Sequence, residues 1–185
     1  MSAHKISGPQ GVGALILRKK RYKLPPVKAI MYGGEQERGI RPGTVPVALV
    51  AGLGKGCELL EQEYKNNNRK TEQIKSEIMQ LLEQSGLKYK INGDNSKCIS
   101  NTINVCINGV SSEALMLSSK QFCGISNGSA CNSHKYEPSY VLQAMGIPVK
   151  DKDNSIRISW GASTDCEEMN KEFSELLEFA KGLVF

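Results

Sequence analysis

Thr102-Ile103-Asn104-Val105-Cys106-Ile107 puts Ile103, Val105 and Ile107 in one phase and Thr102, Asn104 and Cys106 in the other, the period of a half-buried β-strand. Ile156-Arg157-Ile158-Ser159-Trp160 has the same period. Its three apolar side chains share one face, and Arg157 stands on the other, free to line a site. Between these strands, Ser111 or Ser112 caps a short helix through Leu117. Another strand is expected at residues 122–125, and Glu137-Pro138-Ser139 opens a short helix that stops at Gly146. After the second strand, Thr164 and Glu167 have capping-box spacing. The helix that follows carries Cys166, Met169, Phe173, Leu176, Leu177 and Ala180 on one face. Helices alternating with strands over the last hundred residues predict a layered αβ sandwich.

Upstream, the chain from Thr44 to about Gln84 reads as mostly helical, with Pro46 in the first turn. Ile74, Ile78, Leu81 and Leu82 form its apolar stripe, and Ser85-Gly86 supplies the stop. The polar run Asn66-Asn67-Asn68 marks a domain junction. Residues 12–17, entered through Gly8, Gly11 and Gly13, suit a buried strand of an α/β sheet, which Pro25-Pro26 then interrupts.

With 185 residues and 39% hydrophobic content, the chain holds one core or pieces of two smaller ones. No apolar run approaches the roughly 18 residues of a membrane span. Cys57, Cys98, Cys106, Cys123, Cys131 and Cys166 show no paired two-residue spacing. Neither a metal site nor a disulfide framework is expected, and reduced thiols fit a cytoplasmic protein. The net charge of +5 is concentrated in Arg18-Lys19-Lys20-Arg21-Tyr22-Lys23. No second basic cluster with interleaved aromatics supports it, so the run reads as a solvated turn and direct nucleic-acid binding is not expected.

Four places carry chemistry. Cys131 lies on a loop of small and polar residues near His134, Lys135 and a helix start, which favour a thiolate, whereas Cys106 and Cys166 lie on apolar elements. Lys5 follows Ser2-Ala3-His4 and precedes a glycine-rich turn, a setting unlike the charged helices that hold most other lysines. The loop from Gly33 to Thr44 suits an anion, with glycines for close approach, Arg38 and Arg41 for charge, and the Thr44 hydroxyl near a helix start. It lacks the ending of a nucleotide P-loop. Gly52-Leu53-Gly54-Lys55-Gly56 reads as a close helix-packing site. Arg157 offers a planar fork to a carboxylate.

In order along nearly the whole chain, these features resemble the cysteine desulfurases of the class-V aminotransferases. The matching stretches are Ser2-Ala3-His4-Lys5 with residues 8–13, residues 33–44, Ser126 to Ser133 followed by residues 137–142, and Ile156-Arg157-Ile158-Ser159. The Gly128-Ser129-Ala130-Cys131 loop resembles the long-loop branch that serves iron-sulfur assembly and RNA thiolation. The resemblance implies an α/β fold, the C-terminal part of an aspartate-aminotransferase-like PLP enzyme. Residues 1–64 would belong to the large cofactor-binding domain and residues 65–185 to a small αβ domain bearing the cysteine loop.

It further implies that Lys5 holds pyridoxal 5'-phosphate as a Schiff base, that Ser2 and His4 bind its phosphate, and that Thr44 reaches the phosphate in a partner subunit of a homodimer. Arg157 would hold the carboxylate of L-cysteine, and Cys131 would take the sulfur as a persulfide and pass it to a sulfur-acceptor protein. Family members are much longer than this chain, so the resemblance is to the C-terminal part only. The absent part would carry the groups that stack on the ring and pair with its nitrogen, so the chain alone is expected to be inactive. Complementation by an N-terminal half, a non-catalytic dimerisation or sulfur-acceptor fragment, and a sulfur donor for DNA phosphorothioate modification are the alternatives. Glu35 departs from the pattern, standing where the family usually has glycine.

Overall fold

The computed structural model describes residues 1–127 and 139–184. They divide into two compact units, Met1–Lys65 and Asn66–Phe185. Helix α1 (Val47–Gln84, 38 residues) runs continuously through the boundary. It begins one residue after Pro46, whose carbonyl accepts from the Val50 amide at 3.0 Å. Pro46 therefore precedes the helix instead of lying in its first turn. At the far end Gly86 takes a left-handed φ of 74°, and the Ser85 hydroxyl accepts from the Leu87 amide at 3.1 Å.

The second unit is built on a three-stranded antiparallel sheet in the order β1-β2-β3, with β1 at Tyr89–Ile91, β2 at Thr102–Ile107 and β3 at Ser155–Ser159. Both long strands lie where the alternation puts them. Register pairs Ile103 with Ile158 and Val105 with Ile156, so their side chains share one face. Against that face pack Ile74, Ile78 and Leu82 of α1 and Phe173, Leu176, Leu177 and Ala180 of α5 (Cys166–Lys181). Each Leu or Ile buried in this way contributes about 1.5–3 kcal/mol relative to exposure. The sandwich is also stitched by polar contacts. The Trp160 indole N–H donates to the Thr71 carbonyl at 2.9 Å, the Thr71 and Ser100 hydroxyls lie 2.7 Å apart, and the Asn170 amide donates to Glu77 at 3.0 Å.

Shorter helices connect these elements: α2 (Ser112–Ser118), α3 (Tyr140–Ala144) and α4 (Val149–Asp153). Ser111 caps α2 by accepting from the Ala114 amide. Two expectations fail locally. Residues 122–125 form no strand, because the Phe122 and Cys123 amides turn back to the Ser119 carbonyl and are spent before a ladder can use them. Only Ser126 reaches the sheet, bridging to Arg157. The cap of α5 is Asp165, which accepts from the Glu168 amide at 2.9 Å, while the Thr164 hydroxyl accepts from Gly161 at 3.1 Å. The helix consequently starts at Cys166, after Thr164 has been used in the preceding turn.

In the first unit, residues 12–17 do not form a strand. Gly13 makes an isolated bridge to Ser2, and Leu15 and Ile16 are 70% and 78% exposed. An apolar run becomes a sheet strand only when neighbours take its N–H and C=O groups, and among the described residues no strand lies beside this one. Ile30 and Tyr32 are also widely exposed. No helix among the described residues is long and apolar enough to cross a membrane.

Candidate functional site

Ser2, His4 and Lys5 are held together on one clamped turn. The Met1 ammonium donates to the Ala14 carbonyl at 2.7 Å, Ala14 returns its amide to Met1 at 2.9 Å, and the Ala3 amide donates to Val12 at 3.0 Å. A single 3-10 turn, Ala3–Ile6, follows, and Gly8 closes it by donating to the Ala3 carbonyl at 2.9 Å. Ala3 is fully buried, whereas Ser2, His4 and Lys5 are exposed.

Helix α1 supports the turn from below through its glycines. A Cβ at Gly52 would stand 2.8 Å from Pro9 Cγ, and one at Gly56 would stand 3.2 Å from the Ile6 carbonyl oxygen. Gly52 and Gly56 thus make the close approaches that the composition implied, whereas a Cβ at Gly54 would meet nothing within 4 Å. Among the described residues, the Ser2, His4 and Lys5 side chains have no hydrogen-bond or ion-pair partner.

Thr44 belongs to the same unit and is exposed, three residues before α1. Its loop is braced internally. Gln36 accepts from the Gly43 amide at 3.1 Å and lies over Gly34 so closely that a Cβ there would overlap its amide. Glu37 and Arg38 take left-handed φ values of 50° and 59°, a conformation costly for residues with a Cβ. Glu35 takes φ −91°, open to any residue, so its departure from glycine carries no backbone strain. Both Arg38 and Arg41 are exposed; Arg41 donates to the Pro42 carbonyl at 3.0 Å, and Arg38 has no such bond among the described residues.

Arg157 lies in the other unit, on β3. Its amide and carbonyl both pair with Ser126, the carbonyl accepting at 3.1 Å and the amide donating at 2.5 Å. That pairing fixes the backbone on an edge. Its side chain is exposed, and among the described residues the guanidinium has no hydrogen-bond or ion-pair partner. Cys131, with His134 and Lys135, falls outside the described residues.

The other thiols divide by surroundings. Cys106 is buried in β2, and burial together with the Asp151 carboxylate pushes its pKa up. Burial and Glu172 do the same to Cys123, and burial with Glu77 and Asp165 to Cys166. A thiol pushed up is a weak nucleophile at neutral pH. Cys57 and Cys98 are exposed. A cavity of about 380 Å³, with Ile78, Trp160, Met169, Glu168 and Glu172 in its lining, opens beside the sandwich core; Arg157 does not line it.

Sequence reasoning passed over Asn104, the cross-strand partner of Arg157. Its place in the strand alternation, on the face of Arg157, was the available signal.

A family model described as aminotransferase class-V matches residues 1–171. The chain is 37% identical over 184 residues to the cysteine desulfurase of Homo sapiens, a match that covers 99% of this chain and 39% of that protein. Among solved structures, a NifS-like protein superimposes with a TM-score of 0.81 at 27% identity, covering 98% of this chain and 45% of the other. SspA in complex with cysteine matches with a TM-score of 0.63 at 29% identity, over 89% of this chain and 44% of the other. The chain therefore spans less than half the length of the proteins it matches, and the expected α/β fold is the one its neighbours have. With the family model covering nearly all its residues and cysteine desulfurases among its relatives, the chain belongs to the class-V aminotransferase family.

Proposed function

We propose that this chain carries the cofactor-anchoring, substrate-binding and sulfur-accepting residues of a cysteine desulfurase. The observation that carries the reading is the Met1–Gly8 turn. It is clamped through buried Ala3 and leaves Ser2, His4 and Lys5 exposed, their side chains without partners among the described residues. A primary amine beside a hydroxyl and an imidazole fits the aldehyde and phosphate of pyridoxal 5'-phosphate, so the donor set suits that group. Lys5 would anchor it, Ser2 and His4 would hold its phosphate, and Thr44 would reach the phosphate bound in a second copy of a homodimer. When bound, the cofactor supplies a sink for electrons at the substrate carbon.

The chain's own residues do the rest. Arg157 binds the carboxylate of L-cysteine through its two parallel N–H groups and fixes the substrate's orientation. The Lys5 amine, once released, takes and returns a proton at the carbon that bears the substrate amine. Cys131 attacks the substrate sulfur as its thiolate. The S–S bond forms from the thiolate pair, the C–S pair stays with carbon, and a proton completes the methyl group of alanine. Sulfur is left as a persulfide on Cys131 for an acceptor protein of iron-sulfur assembly or RNA thiolation.

The test is the absorbance of the purified chain with added pyridoxal 5'-phosphate, compared with Lys5→Ala. A visible band that depends on Lys5 is expected. Equal spectra from the two proteins would remove Lys5 from the reading.

Exposed Leu15, Ile16, Ile30 and Tyr32 in the first unit favour a second, compatible reading. These side chains await cover from a complementary N-terminal half, and the 185-residue chain alone does not turn over. Conversion of cysteine to alanine by the isolated chain would refute that clause, and failure to co-purify with such a half on co-expression would count against the partner.

A further inference from the structure

Beside the Arg157 guanidinium lies a second donor that, like it, has no partner among the described residues. Both backbone groups of Arg157 point to Ser126, away from β2, so its pairing with Asn104 is of the non-hydrogen-bonded kind. In such pairs the facing Cα atoms approach to about 4.5 Å and their side chains stand together on one face. Asn104 is half-buried and Arg157 exposed on that face.

A buried network behind Asn104 decides which way its amide points. The Ser155 hydroxyl has one hydrogen and gives it to the Asp151 carbonyl at 2.5 Å, because a carbonyl can only accept. Ser155 must then accept from Asn92, whose Nδ2 lies 2.8 Å away. The same Nδ2 is 2.7 Å from the Asn104 side chain, so the atom there is the oxygen Oδ1. The Nδ2 of Asn104 is therefore the free end, and among the described residues it has no partner.

Holding this direction has a cost. Asn92 is 5% exposed, and among the described residues its own Oδ1 is left without a hydrogen bond. An orphaned buried acceptor costs about 1–3 kcal/mol, which a purely structural sheet has no reason to carry.

We infer that Asn104 is a second carboxylate-binding residue: its Nδ2–H donates to the substrate anion that Arg157 holds, and the Asn92–Ser155 pair positions it for that purpose. This rests on the proposed role of Arg157. Two donors of different reach fix the rotation of the carboxylate as well as its place.

The test uses the full chain with ¹⁵N-labelled arginine side chains. The Arg157 Nε–H resonance, assigned by its loss in Arg157→Lys, is followed on titration with L-alanine, with L-alaninamide as the ligand lacking the carboxylate. L-Alanine is expected to shift the resonance and L-alaninamide to leave it unmoved. Asn104→Ala should weaken alanine about tenfold, as losing a hydrogen bond to a charged group implies, and should lower the urea midpoint read from Trp160 by about 0.5 M or more, because the buried Asn92 amide loses its acceptor.

Asn104→Asp, which keeps the shape and removes the donor, should weaken it at least as much and serves if the alanine variant folds poorly. An unchanged affinity in both Asn104 variants, with Arg157 still responding, overturns the inference and spares the reading of Arg157. No response of Arg157 to L-alanine in the wild-type chain overturns both.

Discussion

Ile78→Ala tests how the second unit is held together. Ile78 is 1% exposed and packs within the cluster formed by α1, β2, β3 and α5. Truncation removes the transfer energy of three carbons and opens a cavity bounded by a sheet on one side and a helix on the other, neither free to collapse. Comparable Ile-to-Ala changes cost about 2–5 kcal/mol, and this site should cost about 3 kcal/mol. Trp160 is the chain's single tryptophan and is 9% exposed in the same unit, so its fluorescence reports unfolding there. With a urea dependence of about 2 kcal/mol per molar, the midpoint should fall by about 1.5 M. Leu15→Ala is the control: at 70% exposure in the first unit it should change the Trp160 transition by no more than about 0.5 kcal/mol. A midpoint shift under about 0.3 M in Ile78→Ala, with the slope unchanged, would refute the placement of Ile78 in a continuous core.

Asp165→Ala, which removes the side chain that accepts from the Glu168 amide, should cost about 1 kcal/mol in the same urea assay, whereas Thr164→Val should leave the α5 cap intact. Timed alkylation with iodoacetamide should label exposed Cys57 and Cys98 in the folded chain and reach Cys106 only on unfolding; peptide mass spectrometry with equal early labelling of all three would contradict the burial of Cys106. The raised pKa of Cys106 and Cys123 sets a pH dependence. Their unfolded thiols ionise near 9.0 while the folded ones stay neutral, so this contribution is full below pH 9 and is lost as pH rises from there toward the folded values. Urea midpoints between pH 8 and 10 should show a shallower fall in Cys106→Ala than in wild type.

What could be read without coordinates follows the range of the forces involved. β2, β3 and α5 were legible because each has one buried face, and burial of Ile103, Ile158 or Phe173 imposes its period locally. The same alternation brought out Arg157 as a polar residue between two buried isoleucines. The three residues of β1 are too few to show a period, and pairing of Tyr89 with Ile107 defines them. The run at 122–125 has strand composition, but its first amides close a turn after α2, and the Phe122 ring sits 5.9 Å from that of Phe179. Residues 12–17 have the composition of a central strand without strands beside them. Asn104 was passed over because its orientation depends on Asn92 and Ser155, residues 63 positions apart that meet only once the sheet has formed.

The two units therefore stand in different relations to the proposed chemistry. Arg157 is set by a sheet that closes its own core: its backbone is paired on one side, its strand neighbours Ile156 and Ile158 are 1% and 6% exposed, and α1 and α5 complete the layer. The substrate orientation proposed for Arg157 would demand precision, and a strand between buried isoleucines is suited to supply it. Lys5 is placed with equal care, since buried Ala3 and the Gly52 and Gly56 contacts leave its turn little freedom. Yet its amine is exposed, while an anchoring lysine works best partly desolvated beside its cofactor. Rigidity without burial is the signature of half a pocket. On the proposed reading, the missing desolvation would come from the partner that covers Leu15 and Ile16, and partner binding and cofactor binding should be coupled. A complementary half that buries those side chains should also raise the affinity of Lys5 for the cofactor, and by linkage the cofactor should tighten the two halves by the same factor. Equal affinity of the halves with and without pyridoxal 5'-phosphate would show that the turn and the exposed side chains of Leu15 and Ile16 do not belong to one site.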